Sequence, residues 1–131
     1  MPDPRWDTLA DTLIRHSTCL KPGDSLLIEC FDLADDTLPR LLVRKAARLG
    51  AVALVDVKRM AIVREMLLEA TETQLSTWAA AEAFRMDRLQ AYIALRGSEN
   101  ISELVDVPAD RMNLYNEFFM KPVHFDRRIK K

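Results

Sequence analysis

The side chains able to do chemistry are few, and none stands at a spacing that completes a site. The two histidines, His16 and His124, are far apart in the chain, and neither has further ligands near it at metal-binding spacing. No His-Glu-x-x-His stretch occurs. His16 falls seven residues after Leu9 and three after Leu13, at the margin of an apolar helical stripe. Both histidines therefore read as partly buried structural side chains. Asp35 with Asp36, and Glu99 near Asp106, are the carboxylate pairs that would suit a hard cation. They read instead as helix caps and solvated loop charges.

Nucleophiles fare no better. Ser17, Ser25, Ser76, Ser98 and Ser102 all lack the Gly-x-Ser-x-Gly elbow. Cys30, at a strand end, is the best-placed nucleophile, but no sequence signal pairs it with a histidine. Cys19 and Cys30 are too few for a disulfide framework and read as small buried side chains of a reducing cytoplasm. The opening Met-Pro-Asp-Pro-Arg-Trp has no signal-peptide pattern. No apolar run reaches the ~20 residues that span a bilayer.

Phosphate and nucleic-acid chemistry are disfavoured too. The three glycines, Gly23, Gly50 and Gly97, are scattered, so there is no Gly-x-Gly-x-x-Gly fingerprint and no P-loop. Nineteen basic against 20 acidic residues leave a net charge of −1, which gives no field to gather nucleic acid or bind an anionic membrane. The basic end, Arg127, Arg128, Lys130 and Lys131, has only Phe125 as an aromatic neighbour and reads as a chain end in solvent. Trp6, Trp78 and Tyr92 fit core packing better than a stacking platform.

The elements that must position these groups follow from periodicity. Trp6, Leu9, Ala10, Leu13, Ile14 and Leu20 mark one face of a first helix. Lys21-Pro22-Gly23-Asp24 is a tight turn into the strand Leu26-Leu27-Ile28. Asp35 and Asp36 cap a second helix with Pro39 in its first turn, and Gly50 ends it. Ala51 to Val57 is almost wholly apolar, which predicts a strand covered on both faces.

A third helix runs through Met60, Val63, Met66, Leu67 and Ala70. A capping-box pair, Thr71 and Gln74, opens a fourth with Leu75, Trp78, Ala79 and Met86. Ala91 to Leu95 is a third strand, Arg96 to Asn100 its exit loop, and Pro108 begins a helix carrying Met112, Tyr115 and Phe119. Val123, Phe125 and Ile129 alternate as a half-buried strand does, and Lys131 follows with that strand barely begun.

Strands alternating with crossover helices predict one α/β domain over residues 1–131, three-layered, with a small mostly parallel sheet flanked by helices and a truncated C-terminal strand. Ligands of such sheets bind beyond the strands' carboxyl ends. Those ends here are Cys30-Phe31-Asp32, Val57-Lys58-Arg59 and Arg96-Gly97-Ser98. Residue chemistry alone leads to an α/β domain without a self-sufficient active site.

Several stretches in order resemble the amino-terminal region of the thermophilic metalloprotease family, the aminopeptidase T and aminopeptidase S group. They are Leu20 to Asp24 with Leu26-Leu27-Ile28, then Leu42 to Ala51, then Ala91 to Asn100, and last Arg127 to Lys131. The resemblance implies an enzyme that removes amino-terminal residues from peptides with two divalent metals, zinc or cobalt, clamping and activating a water. It also implies a cytoplasmic homodimer whose metal ligands lie in a missing C-terminal catalytic domain. No position here matches a catalytic or metal-binding residue. The loop Arg96, Gly97, Ser98, Glu99 and Asn100 is the expected wall of the substrate cleft.

Two other readings compete with an aminopeptidase fragment that is inert alone. One is a free-standing α/β module that binds a ligand or supports assembly without catalysis. The other is a thiol enzyme using Cys30. A fragment should also keep an unpaired sheet edge near residues 123–131 and self-associate through it.

Overall fold

The computed structural model describes residues 4–97 and 107–125, with side chains as far as Met120. Helix α1 covers Pro4–Thr12, and a wider turn over Leu13–Ser17 continues it. There the Thr18 N–H reaches back five residues to the Leu13 carbonyl (3.1 Å). Strand β1 (Ser25–Phe31), helix α2 (Thr37–Leu49) and strand β2 (Val52–Lys58) follow. Then come α3 (Met60–Leu68), α4 (Glu72–Met86), strand β3 (Ala91–Arg96) and α5 (Ala109–Tyr115). The α/β class holds, with a three-stranded, all-parallel sheet in the order β2-β1-β3.

The chain forms two compact units. The first comprises residues 1–58 and 89–100, the second residues 59–88 and 101–131. In the first, β1 is the central strand, and Leu26, Leu27 and Ile28 are fully buried. Alternation turns Leu26, Ile28 and Cys30 to one face, where they form a core with Ala10, Ile14, Leu42, Ala46 and Ile93. Removing such apolar area from water stabilises by roughly 25 cal/mol per Å². The opposite face carries Leu27, Glu29 and Phe31.

Gly50 ends α2 with φ +89°, and its N–H bonds back to the Ala46 and Ala47 carbonyls. An L side chain there would pay for the left-handed conformation, so glycine sets where the helix stops. The Gly50 carbonyl then accepts the Gly23 N–H (2.9 Å), which ties the turn before β1 to the turn before β2.

In the second unit the Thr71 hydroxyl accepts the Gln74 N–H (3.1 Å), as the capping pair predicts. The return arm is not made, since the buried Gln74 side-chain oxygen has no partner. Trp78 stacks on Phe119 with ring centroids 3.8 Å apart, and Tyr115 lies 5.3 Å from Phe119. Arg111 donates to the Ala70 carbonyl, joining α5 to the end of α3.

Two expectations are corrected. Strand β2 is not covered on both faces: Val52, Leu54, Val55 and Val57 are all exposed. An unbroken apolar run fits a central strand, but among the described residues β2 stands at the sheet's edge and pairs with β1 alone. Residues 123–125 are not strand either, since a widened helical segment runs over Asn116–Phe125. Tyr115 and Phe119, four residues apart and stacked, carry the helical path onward, and this outweighs a short alternation. Ile129 lies outside the described residues.

Candidate functional site

In the first unit, Glu29, Lys58 and Arg96 bring charge to the place where the three strands end. Phe31 pairs in register with Lys58 on one side and Arg96 on the other, which puts three side chains in a row on one face. The Arg96 guanidinium lies 4.6 Å from the Phe31 ring centroid and the Lys58 ammonium 5.8 Å from it. Both are within range for attraction to an aromatic face. Lys58 Nζ also donates to Glu29 Oε2 at 2.6 Å. Glu29 is only 2% exposed, so its charge is out of water and matched by one cation.

The backbone closes tightly at this end. Asp32 leaves β1 with φ +55° and donates its N–H to the Lys58 carbonyl (3.1 Å). Gly97 donates its N–H to the Phe31 carbonyl (2.8 Å). A Cβ on residue 97 would lie 2.3 Å from the Asp32 carbonyl oxygen. Only glycine fits, and it fixes the direction in which the chain leaves β3.

Beside this row is a cleft of about 240 Å³ whose lining includes Trp6, Leu33, Asp35, Leu38, Leu95 and Arg96. Hydrogen bonds from Thr37, by its side chain and by its backbone N–H (2.7 Å to Asp35 Oδ1), hold the Asp35 carboxyl below its usual range. Asp35 thus supplies the cap of α2, whereas Asp36 makes no side-chain cap bond. The cleft combines an apolar wall with one cation and one anion, which suits a polar-ended, partly apolar ligand.

A larger groove, about 500 Å³, runs between α2 and the outer strand and is lined by Cys30, Pro39, Val43, Val55 and Val57 among others. Cys30 opens into it but is a poor nucleophile. Burial pushes its thiol pKa up, and the charges of Asp36 and Glu29 push the same way.

Of the expected wall, Arg96 and Gly97 lie at this strand end, while Ser98, Glu99 and Asn100 fall outside the described residues. Glu99 and Asp106 of the second carboxylate pair, and the His124 side chain, fall outside them too. His16 and Cys19 are exposed rather than buried, because the widened turn after α1 carries both past the core. Trp6 is 40% exposed at the cleft mouth, not a core residue. The Glu29–Lys58 pair was not foreseen. Its one signal was an acid inside an otherwise apolar strand, and its partner depends on the register between strands.

Among the described residues no three His, Cys, Asp or Glu side chains converge to hold an ion. The described part of the chain does not fit a metal centre. Among the same residues no helix is long and apolar enough to cross a membrane.

Comparison with known proteins gives two positive findings. The model of the thermophilic metalloprotease family matches residues 3–127. The solved structure of wild-type AmpT from Thermus thermophilus matches with a TM-score of 0.68 at 23% identity. That alignment covers 92% of this chain and 31% of the AmpT chain, and at this identity it speaks for the fold. No curated protein matches the sequence.

Proposed function

The chain belongs to the thermophilic metalloprotease family, and on that premise we propose that it is the amino-terminal α/β part of a metal-dependent aminopeptidase. In this reading its work is to support a catalytic part and to wall the peptide cleft, and it is inactive alone. The observation that carries the proposal is the family match over nearly the whole chain, joined to the short share, 31%, of AmpT that the chain spans. The two divalent metals, zinc or cobalt, would be held by residues of the C-terminal catalytic part.

The residues of this chain contribute positioning. The Glu29–Lys58 pair and the Phe31 ring hold the end of the sheet, and Gly97 sets the course of the chain beyond Arg96. Arg96 would meet substrate through its fixed positive charge, which favours carboxylate groups of a peptide.

Peptidase assays test this. The purified 131-residue chain, supplied with zinc or cobalt, is expected to leave a leucine anilide uncleaved. Metal-dependent turnover by the verified chain would overturn the fragment reading. In an enzyme carrying this chain, Arg96→Ala is expected to raise KM for peptides with little change in kcat. An unchanged KM would remove Arg96 from the cleft wall.

A further inference from the structure

Among the described residues, strand β2 makes ladder hydrogen bonds on one side only. The Val52 N–H donates to the Asp24 carbonyl (2.8 Å), and the Lys58 carbonyl accepts the Asp32 N–H (3.1 Å), so both residues face β1. The N–H and C=O of one strand residue point the same way, and successive residues alternate. Ala53, Val55 and Val57 therefore turn their backbone groups outward. Proline, a bulge or a central lysine ordinarily blunts such an edge. β2 has none of these: its register with β1 is unbroken, and its one lysine is its last residue.

The side chains of the same three residues lie on the sheet face that carries Ile28 and Cys30. There Val55 (41% exposed) and Val57 (78%) line the larger groove from the strand, and Arg40, Val43 and Arg44 line it from α2. Both arginines are exposed, and among the described residues neither guanidinium has an ion pair or hydrogen bond. Lys45, the next cation on the helix, is by contrast held by Asp7 and Asp11. The opposite face of β2 exposes Val52 and Leu54.

Backbone donors and acceptors, an apolar wall and two unpaired cations thus run side by side. As the crossover between two parallel strands, α2 runs back along β2. Arg40 and Arg44 stand one turn apart, about 6 Å along the helix. Alternate residues of a strand stand about 6.6 Å apart. A strand added outside β2 would therefore bring its alternate side chains into step with the two arginines.

We propose that this groove takes an extended acidic segment of another protein, added as a strand along the outer edge of β2. Its alternate residues on the α2 side carry carboxylates, whose stems lie over Val55 and Val57 and whose ends pair with Arg40 and Arg44. The residues between them are apolar and cover Val52 and Leu54. Main-chain bonds supply affinity in such an addition and the side chains supply selectivity. The guanidinium fork suits carboxylates in particular. A second copy of β2 fits the rim poorly, since it offers one carboxylate, Asp56, with Lys58 two residues on. A nucleic acid would bring anions but no strand ladder, and would leave the valines wet.

The test uses the intact chain and the probe acetyl-Thr-Glu-Val-Glu-Val-Thr-amide, with lysine in place of both glutamates as the control peptide. Calorimetry should show saturable binding of the acidic probe and roughly tenfold or weaker binding of the control. Arg40→Glu with Arg44→Glu should reverse that preference. In hydrogen exchange the acidic probe should slow the amides of Ala53, Val55 and Val57. Those of Leu54 and Asp56 face β1 and should not change. Val55→Pro removes a central outward N–H but no bond to β1, so it should abolish binding with circular dichroism unchanged. No saturable binding, equal binding of the two peptides, a preference that survives the charge reversal, or exchange at the three amides indifferent to the probe would each overturn the proposal. Protection of those amides that needs no probe and follows chain concentration would give the edge to a second copy, and would overturn it too.

Discussion

Gly97 packs against Asp32 so closely that a Cβ on residue 97 would come within 2.3 Å of the Asp32 carbonyl oxygen. That oxygen is backbone, held in place by the Asp32 N–H bond to the Lys58 carbonyl. It cannot swing aside as the tip of a flexible side chain would. Gly97→Ala should therefore destabilise by about 1–3 kcal/mol, the usual cost of forcing atoms into a filled space. Urea unfolding reads this as a lower midpoint at unchanged slope. A midpoint equal to that of the parent chain would show that the strand end yields freely.

Lys45 on α2 is clamped by two acids one turn apart on α1, with its ammonium 3.1 Å from Asp7 and 3.0 Å from Asp11. Its pKa is raised, first by hydrogen bonding to Asp11 and then to Asp7. A raised folded-state value means the contribution is fully present below the unfolded value near 10.5 and is lost as pH rises through the folded value. Lys45→Met should thus cost a constant amount from neutral pH to about pH 10, and the difference from the parent should shrink above that. The acids are well exposed, so the cost should stay within about 1 kcal/mol and fall with added salt. Thermal melts over pH 7 to 11 at two salt concentrations would check both trends.

The parts of the fold legible in the sequence were those that local chemistry decides. The glycine stop at Gly50, the Thr71 cap, the apolar centre of β1 and the Pro108 start of α5 rest on neighbours a few residues apart. Strand order does not. The Ala51–Val57 run is as apolar as a central strand, and it is the pairing with β1 alone, among the described residues, that reveals an edge. The alternation at Val123 and Phe125 was outweighed by packing of Phe119 on Trp78, a contact between helices. At the strand ends Arg96 and Gly97 were legible from the loop after β3. The Glu29–Lys58 pair was not, because 29 residues separate its members.

The two cysteines should differ sharply in reactivity. Cys19 is exposed at the end of the widened turn, with its thiol 3.4 Å from the His16 carbonyl. Cys30 is buried and its pKa is raised, so less thiolate exists at any pH near neutrality. With a thiol-exchange reagent at pH 8 the native chain should titrate one fast thiol. The second should appear only on unfolding. Cys19→Ser should abolish the fast phase, whereas a fast phase surviving that change would mean Cys30 is accessible.

The buried Glu29 and its partner Lys58 make the sharpest test of how the strand end is held. Replacing Lys58 with Met removes the cation 2.6 Å from a carboxylate that is 2% exposed, leaving a buried charge with its main compensation gone. Breaking such a pair from one side typically costs about 3–5 kcal/mol, while replacing both members with apolar residues can be neutral or stabilising. The Lys58 side chain is 21% exposed, so some solvent reaches the pair and the lower end of that range is expected. Glu29→Leu combined with Lys58→Met should recover most of the loss. A double-mutant cycle by urea unfolding then gives a coupling well above the 0.3–0.5 kcal/mol scatter of independent sites. A coupling within that scatter would mean the pair marks the strand end without stabilising it. A large coupling would mean that the pair stabilises the sheet's carboxyl end through the mutual attraction of its two members.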